Sequence, residues 1–281
     1  MSKRLAAAAA FVSEGSRLCD VGCDHAYLSI ALVRSGRVCH ALAMDVRKGP
    51  LAIAASHIGK AGLSGQIETR LSDGLAAMRM GEADCIVFAG MGGGLVVRLL
   101  QAETAKACSA KEWILQPQSE LYRVRRWLRL QGFAIIDEEL VVERGKYYPV
   151  LKVKPHWQKP FSDQEEAEHG AADAVHAGKR GAAGVTGEDT ADPLEMEAAD
   201  TYGPILLERK HPLLRDFLQK EKRRLVQILA ELPQERTERR AELLHELAVT
   251  EYAIVRMKSH NKMKGKGAIR SDSQGCLGAD Q

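Results

Sequence analysis

Up to residue 155 the chain alternates short apolar runs with amphipathic stretches, and that alternation restricts its fold more than any other feature. Strands are expected at Arg17–Val21, Val38–Val46, Gln66–Leu71, Asp84–Ala89 and Trp113–Gln116. Helices are expected between them at Tyr27–Ser35, Pro50–Lys60 and Gly94–Gln101. Ser119 is expected to cap a further helix that runs to Gln131 and stops at Gly132. Phe133–Val142 and Tyr147–Val153, with Gly145 between them, read as a hairpin. Strands that alternate with helices make a mostly parallel α/β sheet covered on both faces. The closing hairpin adds one antiparallel strand near its end.

The rest of the chain has a different texture. Residues 156–200 carry eleven Asp/Glu against three Lys/Arg, are rich in Ala and Gly, and lack aliphatic periodicity. They read as an acidic flexible linker or insertion, and they leave the remainder of the chain net basic. Residues 201–258 return to a helical period. Leu214, Leu218, Leu225, Ile228 and Leu232 precede Pro233, and Leu243, Leu247, Ile254 and Met257 follow it. That pattern predicts an antiparallel helical hairpin of coiled-coil type. Residues 259–281 form a basic tail with Lys262, Lys264, Lys266 and Arg270, expected to be disordered. The expected division is therefore a domain at 1–155, the linker at 156–200, the helical domain at 201–258 and the tail.

Several classes are disfavoured at once. No run of eighteen apolar residues exists, so no membrane span is expected. Lys3 and Arg4 followed by alanines mimic a leader, but the apolar stretch ends at Val12 without a clean cleavage site, so it reads as a helix. Six cysteines form no CxxC pair and no disulfide framework. A reducing, cytoplasmic setting follows as an expectation, with no metal and a monomeric state.

Five marks fall at the ends of the five expected parallel strands, where open α/β sheets bind ligands. The first is Cys19-Asp20-Val21-Gly22-Cys23-Asp24-His25-Ala26-Tyr27-Leu28. Asp24 and Tyr27 stand where a dinucleotide fingerprint needs glycines, and two carboxylates would repel a pyrophosphate. A cationic ligand suits them, and S-adenosylmethionine carries both an ammonium and a sulfonium. The second mark is Asp45, able to accept from ribose hydroxyls. The third is Ser72-Asp73-Gly74, where Asp73 can accept from an adenine amino group. The fourth is Gly90-Met91-Gly92-Gly93-Gly94, which serves either close approach to a ligand or a tight turn. No Lys-Ser/Thr follows it as in a phosphate-binding loop. The fifth is Leu115-Gln116-Pro117-Gln118, whose amides can pair with base edges.

The first 155 residues resemble a class I S-adenosylmethionine-dependent methyltransferase with a Rossmann-like sheet. The run from Asp20 to Leu28, with Ala89-Gly90-Met91-Gly92-Gly93 and Ile114-Leu115-Gln116-Pro117-Gln118, is similar to the bacterial tRNA (adenine-22-N1)-methyltransferase family. Gly203–Glu221 resembles the start of that family's helical C-terminal domain. The resemblance implies methyl transfer to N1 of an adenine in the tRNA D-loop region. The acidic 156–200 stretch is longer than the family suggests, and Asp45 stands where many relatives carry Glu.

Residue roles follow as expectations. Asp20 and Gly22 serve the methionine moiety, Asp45 the ribose, Asp73 and Gly74 the adenine of the cofactor, with Gly90 and Met91 beside it. Asp24, or the pair His25 and Tyr27, contacts the target base. The rival readings are a helix cap or a backbone contact for His25 and core packing for Tyr27. Gln116, Pro117, Arg125, Arg126 and Arg129 are expected at the RNA, although a solvated helix face explains such arginines equally well. Where amino-group methyltransferases carry Asn/Asp-Pro-Pro-Tyr/Phe, this chain has Gly90-Met91-Gly92-Gly93, which disfavours an exocyclic amine. Other acceptors, a non-catalytic nucleic-acid scaffold and a NAD enzyme are the competing functions.

Overall fold

The computed structural model describes residues 1–155 and 192–259. Helix α1 (Lys3–Phe11) precedes β1 (Ser16–Val21), α2 (Tyr27–Arg34), β2 (Val38–Asp45), α3 (Lys48–Lys60) and β3 (Ile67–Leu71). Then come β4 (Cys85–Ala89), α4 (Gly93–Ala102), α5 (Thr104–Cys108), β5 (Glu112–Gln116), α6 (Leu121–Leu130), β6 (Ala134–Glu143) and β7 (Lys146–Lys154). The sheet order is β3-β2-β1-β4-β5-β7-β6. Strands β1 to β5 pair in parallel, and β7 runs antiparallel to both neighbours. The expected mixed sheet with a closing hairpin is therefore present.

The two sheet faces bury separate cores. Met44, Phe88, Trp113 and Leu115 pack with α4 and α6 on one side. Leu18, Val87 and Ile114 pack with α1, α2 and α3 on the other. Strand β4, Cys-Ile-Val-Phe-Ala, is buried on both faces, which is why its sequence is continuously apolar rather than alternating. The chain leaves β1 toward β2 on one side, and β4 lies on the other. The crevice beyond their carboxyl ends is thus the topological switch point.

The helical region begins earlier than its sequence suggested. Helix α7 (Pro193–Tyr202) lies partly inside the stretch expected to be linker, so the boundary placed at 201 falls within a helix. Asp192 Oδ1 accepts from the Leu194 amide at 3.0 Å, and Pro193 opens the first turn. Helix α8 (Pro204–Glu208) follows, then the long pair α9 (Pro212–Glu231) and α10 (Thr237–Lys258). Leu214, Leu218, Ala253, Ile254 and Met257 bury against Leu140 of β6, while Leu225, Leu229 and Leu243 close the far end of the hairpin. The tail from 260 onward and residues 156–191 lie outside the described residues. No helix among the described residues is long and apolar enough to cross a membrane.

Gly203 joins α7 to α8 with φ +101°, and a Cβ there would fall 2.7 Å from both carboxylate oxygens of Glu138. Gly203→Ala is therefore expected to destabilise the protein by about 1–3 kcal/mol, from the backbone conformation and the crowded carboxylate together. Urea unfolding at equilibrium measures it, and an unchanged midpoint would contradict it.

Candidate functional site

A cavity of about 870 Å³ opens at the switch point. Of the residues singled out in the sequence, Asp20, Gly22, Asp24, Tyr27, Asp45, Asp73, Gly74, Gly90, Met91 and Gln118 all line it. His25, Gln116, Pro117, Arg125, Arg126 and Arg129 are not part of that lining.

The floor is acidic and buried. Asp20, next to last in β1, has 3% of its surface exposed, and Ser29 Oγ donates to its Oδ2 at 2.8 Å. Burial pushes the Asp20 carboxyl up to about 6, against the opposing effect of the Ser29 hydrogen bonds. Asp45 ends β2 and is 4% exposed. Its Oδ1 accepts from the Arg47 amide at 2.9 Å, which fixes the carboxylate at the strand end. The Gly22 and Cys23 amides both donate to the Met44 carbonyl, at 2.8 and 2.9 Å, drawing the β1–α2 turn across the end of β2. A Cβ on Gly22 would fall 2.1 Å from Met91 Cε, so the methionine lies directly over that turn. Asp73 is exposed at the opposite end, after β3, where the Ser72 amide donates to the Asp45 carbonyl at 3.0 Å.

The glycine run has a divided purpose. Gly90 faces the cavity. Gly93 does not need to, because a Cβ there would fall 2.6 Å from the Ser119 carbonyl oxygen. The Gly93 amide donates to that carbonyl at 3.1 Å, and the Gly94 amide donates to Glu120 Oε2 at 3.0 Å. The later glycines thus seal one loop against another. Ser119 does not cap α6 as expected. Glu120 occupies the cap position in a left-handed conformation with no side-chain cap bond.

At the rim the chain displays Asp24, with φ +52° and a side chain 63% exposed. Tyr27 is 54% exposed, which removes the core-packing reading. His25 does not cap α2, since Ala26 holds the cap position and no side chain caps that helix. The His25 ring lies instead 5.8 Å from the Tyr27 ring, and His57 completes the group at 5.4 Å from Tyr27. His57 carried no signal in the sequence, because it sits within α3 and only the fold brings it to the rim. Arg4, Arg47 and Arg98 also line the cavity, a placement the sequence did not indicate.

Three expectations about the RNA-facing residues need correction. Arg125 is buried. Its Nε donates to Glu138 Oε1 at 2.8 Å and its Nη1 to the Thr201 carbonyl at 2.8 Å, so it cannot reach RNA. Gln116 and Pro117 are both buried, and Gln116 Oε1 accepts from Arg4 Nη1 at 3.3 Å. Arg126 and Arg129 stay exposed as expected, Arg126 5.9 Å over the Tyr122 ring and Arg129 joined to Asp200 by hydrogen bonds of 3.1 and 2.6 Å. The inward face of α6 carries Val124, Arg125 and Leu128 together, which apolar spacing alone could not show.

Comparison with known proteins agrees with this geometry. The family described as a methyltransferase domain matches residues 1–151. The tRNA (adenine(22)-N(1))-methyltransferase of Bacillus subtilis is 38% identical over 151 residues, 54% of this chain and 63% of that protein. The match thus spans less than two thirds of that curated relative. The solved structure of the Bacillus subtilis m1A22 tRNA methyltransferase is 27% identical, with a TM-score of 0.70 over 90% of this chain and 98% of that one. A Streptococcus pneumoniae protein solved in complex with S-adenosyl-L-methionine is 30% identical, with a TM-score of 0.69 over 90% of this chain and 99% of that one. Sheet order, carboxylate-lined crevice and the family match over residues 1–151 together place the chain in the methyltransferase-domain family.

Proposed function

We propose that this protein transfers a methyl group from S-adenosylmethionine to N1 of adenine 22 in tRNA. The observation that carries the reading is a single cavity holding Asp20, Asp45 and Asp73 along the strand ends, with Asp24 and Tyr27 at its mouth. The donor set fits the cofactor. Buried Asp20 and the Gly22 turn suit an ammonium-bearing methionine moiety, Asp45 suits ribose hydroxyls, and Asp73 beside Gly74 suits an adenine amino group. When bound there, the cofactor would supply an electrophilic sulfonium methyl group with a neutral thioether as its leaving group.

The protein has little proton chemistry to do. N1 of neutral adenine already carries a lone pair, and no proton leaves before attack. The residues must align the base, exclude water and stabilise a product ring that becomes cationic. Asp24 is the carboxylate at the rim that can face that growing charge. Tyr27 offers an exposed ring for the base, which has to leave its stack to arrive here.

Asp20 gives the cofactor site a pH dependence. Its carboxyl is raised from 3.8 to about 6 by burial, so the group favours folding when protonated and this contribution is lost as pH rises from about 4 through 6. A cationic ligand selects the ionised form, so affinity moves the other way. It should be flat above pH 7 and weaker by about tenfold at pH 5. Calorimetric titration of S-adenosylhomocysteine from pH 5 to 8 measures this. Asp20→Asn should flatten the profile, and an equally steep profile in that variant would reject Asp20 as its source.

RNA contact through phosphates should weaken steeply with salt. A flat binding curve between 50 and 200 mM salt would contradict phosphate-dominated docking. The deciding experiment incubates labelled cofactor with unmodified tRNA transcripts, followed by nucleoside analysis. Label in 1-methyladenine that disappears when adenine 22 is replaced supports the reading. Label in another nucleoside, or none, overturns it.

A further inference from the structure

The turn that displays Asp24 is unusual in its backbone. Asp24 and Ala26 both have left-handed φ, +52° and +59°, within three residues. L side chains rarely adopt that conformation, so the turn needs outside support to persist. Part of it is local, since the Ala26 amide donates to the Cys23 carbonyl at 2.8 Å. The His25 carbonyl, between the two left-handed residues, is held differently. It lies 3.2 Å from Nδ1 of His57, thirty-two residues along the chain in α3. A carbonyl only accepts, so His57 carries its proton on Nδ1 and donates. The His57 ring also stands 5.4 Å from that of Tyr27 and 5.9 Å from that of His25.

We propose that His57 is a positioning residue for methyl transfer. Through the His25 carbonyl it fixes the left-handed turn that aims Asp24 into the cavity, and through ring contact it fixes Tyr27 on the opposite side of the same turn. The inference rests on the acceptor reading above, in which Asp24 and Tyr27 meet the base. His57 itself is absent from the cavity lining, so it acts on the reaction only through these neighbours. The cofactor groups Asp20 and Asp45 are held independently, by Ser29 and by the Arg47 amide.

That independence makes the role separable from general folding. His57→Phe keeps a ring but loses the donor. His57→Asn loses the ring but places an amide N–H near the position of Nδ1. His57→Ala loses both. His57→Ala and His57→Phe should lower kcat on unmodified tRNA by about tenfold or more, as small misplacements of reacting groups do. Affinity for S-adenosylhomocysteine should stay within about twofold, because the ligand groups are untouched. His57→Asn should recover most of the kcat lost in the phenylalanine variant. Wild-type kcat in His57→Phe, or an asparagine variant no better than phenylalanine, would overturn the proposal, and this comparison holds even if the alanine variant fails to fold. Amide NMR of the full chain supplies a readout free of methylation. His57→Phe should displace the Asp24 resonance and leave those of Asp45 and Asp73 in place. An unmoved Asp24 resonance refutes the positioning role. Failure of the wild-type enzyme to methylate tRNA refutes the acceptor reading alone.

Discussion

Replacing Glu138 with alanine is expected to cost about 3–5 kcal/mol of folding stability, the typical loss when one partner of a buried ion pair is removed. The reason is the position of Arg125. Its side chain is buried on α6, and Glu138 of β6 neutralises it at 2.8 Å. Glu138 also accepts at Oε2 from the Ile205 amide at 3.0 Å, so one carboxylate pins both the guanidinium and the start of α8. The alanine variant strands a charge and an amide together. Two further bonds tie the same arginine to the Asp200 and Thr201 carbonyls, so the damage should spread into α7. Urea unfolding followed by circular dichroism would read the loss. A loss below about 1 kcal/mol would mean that water reaches Arg125. Replacing Arg125 and Glu138 together with Met and Leu should recover much of the stability, since the pair repays its own desolvation poorly.

That ion pair also marks where the sequence stops being informative. The parallel sheet could be read because each strand is a short apolar run closed by a turn residue, and local pattern decides such elements. The carboxylates along the cavity could be read for the same reason, since Asp20, Asp45 and Asp73 each lie within two residues of a strand's end. Arg125 could not, because an arginine in an amphipathic helix looks identical whether it faces solvent or a distant glutamate. Helix α7 escaped because its inward residues include Ala198 and Asp200, which carry no apolar signal, although Asp192-Pro193 was a legible helix start. His57 escaped because its partner is a backbone carbonyl brought close only by the crossover from β2 through α3. Local grammar sets elements and strand-end ligands, whereas contacts between elements wait for the fold.

Asp24→Asn should lower kcat by about 10²–10³ while leaving cofactor affinity within a few-fold, a loss typical of removing one group that stabilises transition-state charge. Asparagine is the informative replacement because it tolerates left-handed φ nearly as well as aspartate, so the turn survives and only the charge goes. Alanine would confound the two effects at φ +52°. The cofactor should barely notice, because Asp24 is 63% exposed at the rim while Asp20 and Asp45 are buried on the floor. In the proposed reaction the adenine ring becomes cationic. A carboxylate about 4 Å away is worth about 4 kcal/mol at an effective dielectric near 20, and docking of the base would itself remove water from this side chain. Single-turnover methylation with excess enzyme isolates the chemical step, and titration of S-adenosylhomocysteine checks the floor. Wild-type single-turnover rates in the asparagine variant would strip the charge role from Asp24 and leave alignment by Tyr27, with His57 behind it, as the main contribution of the rim.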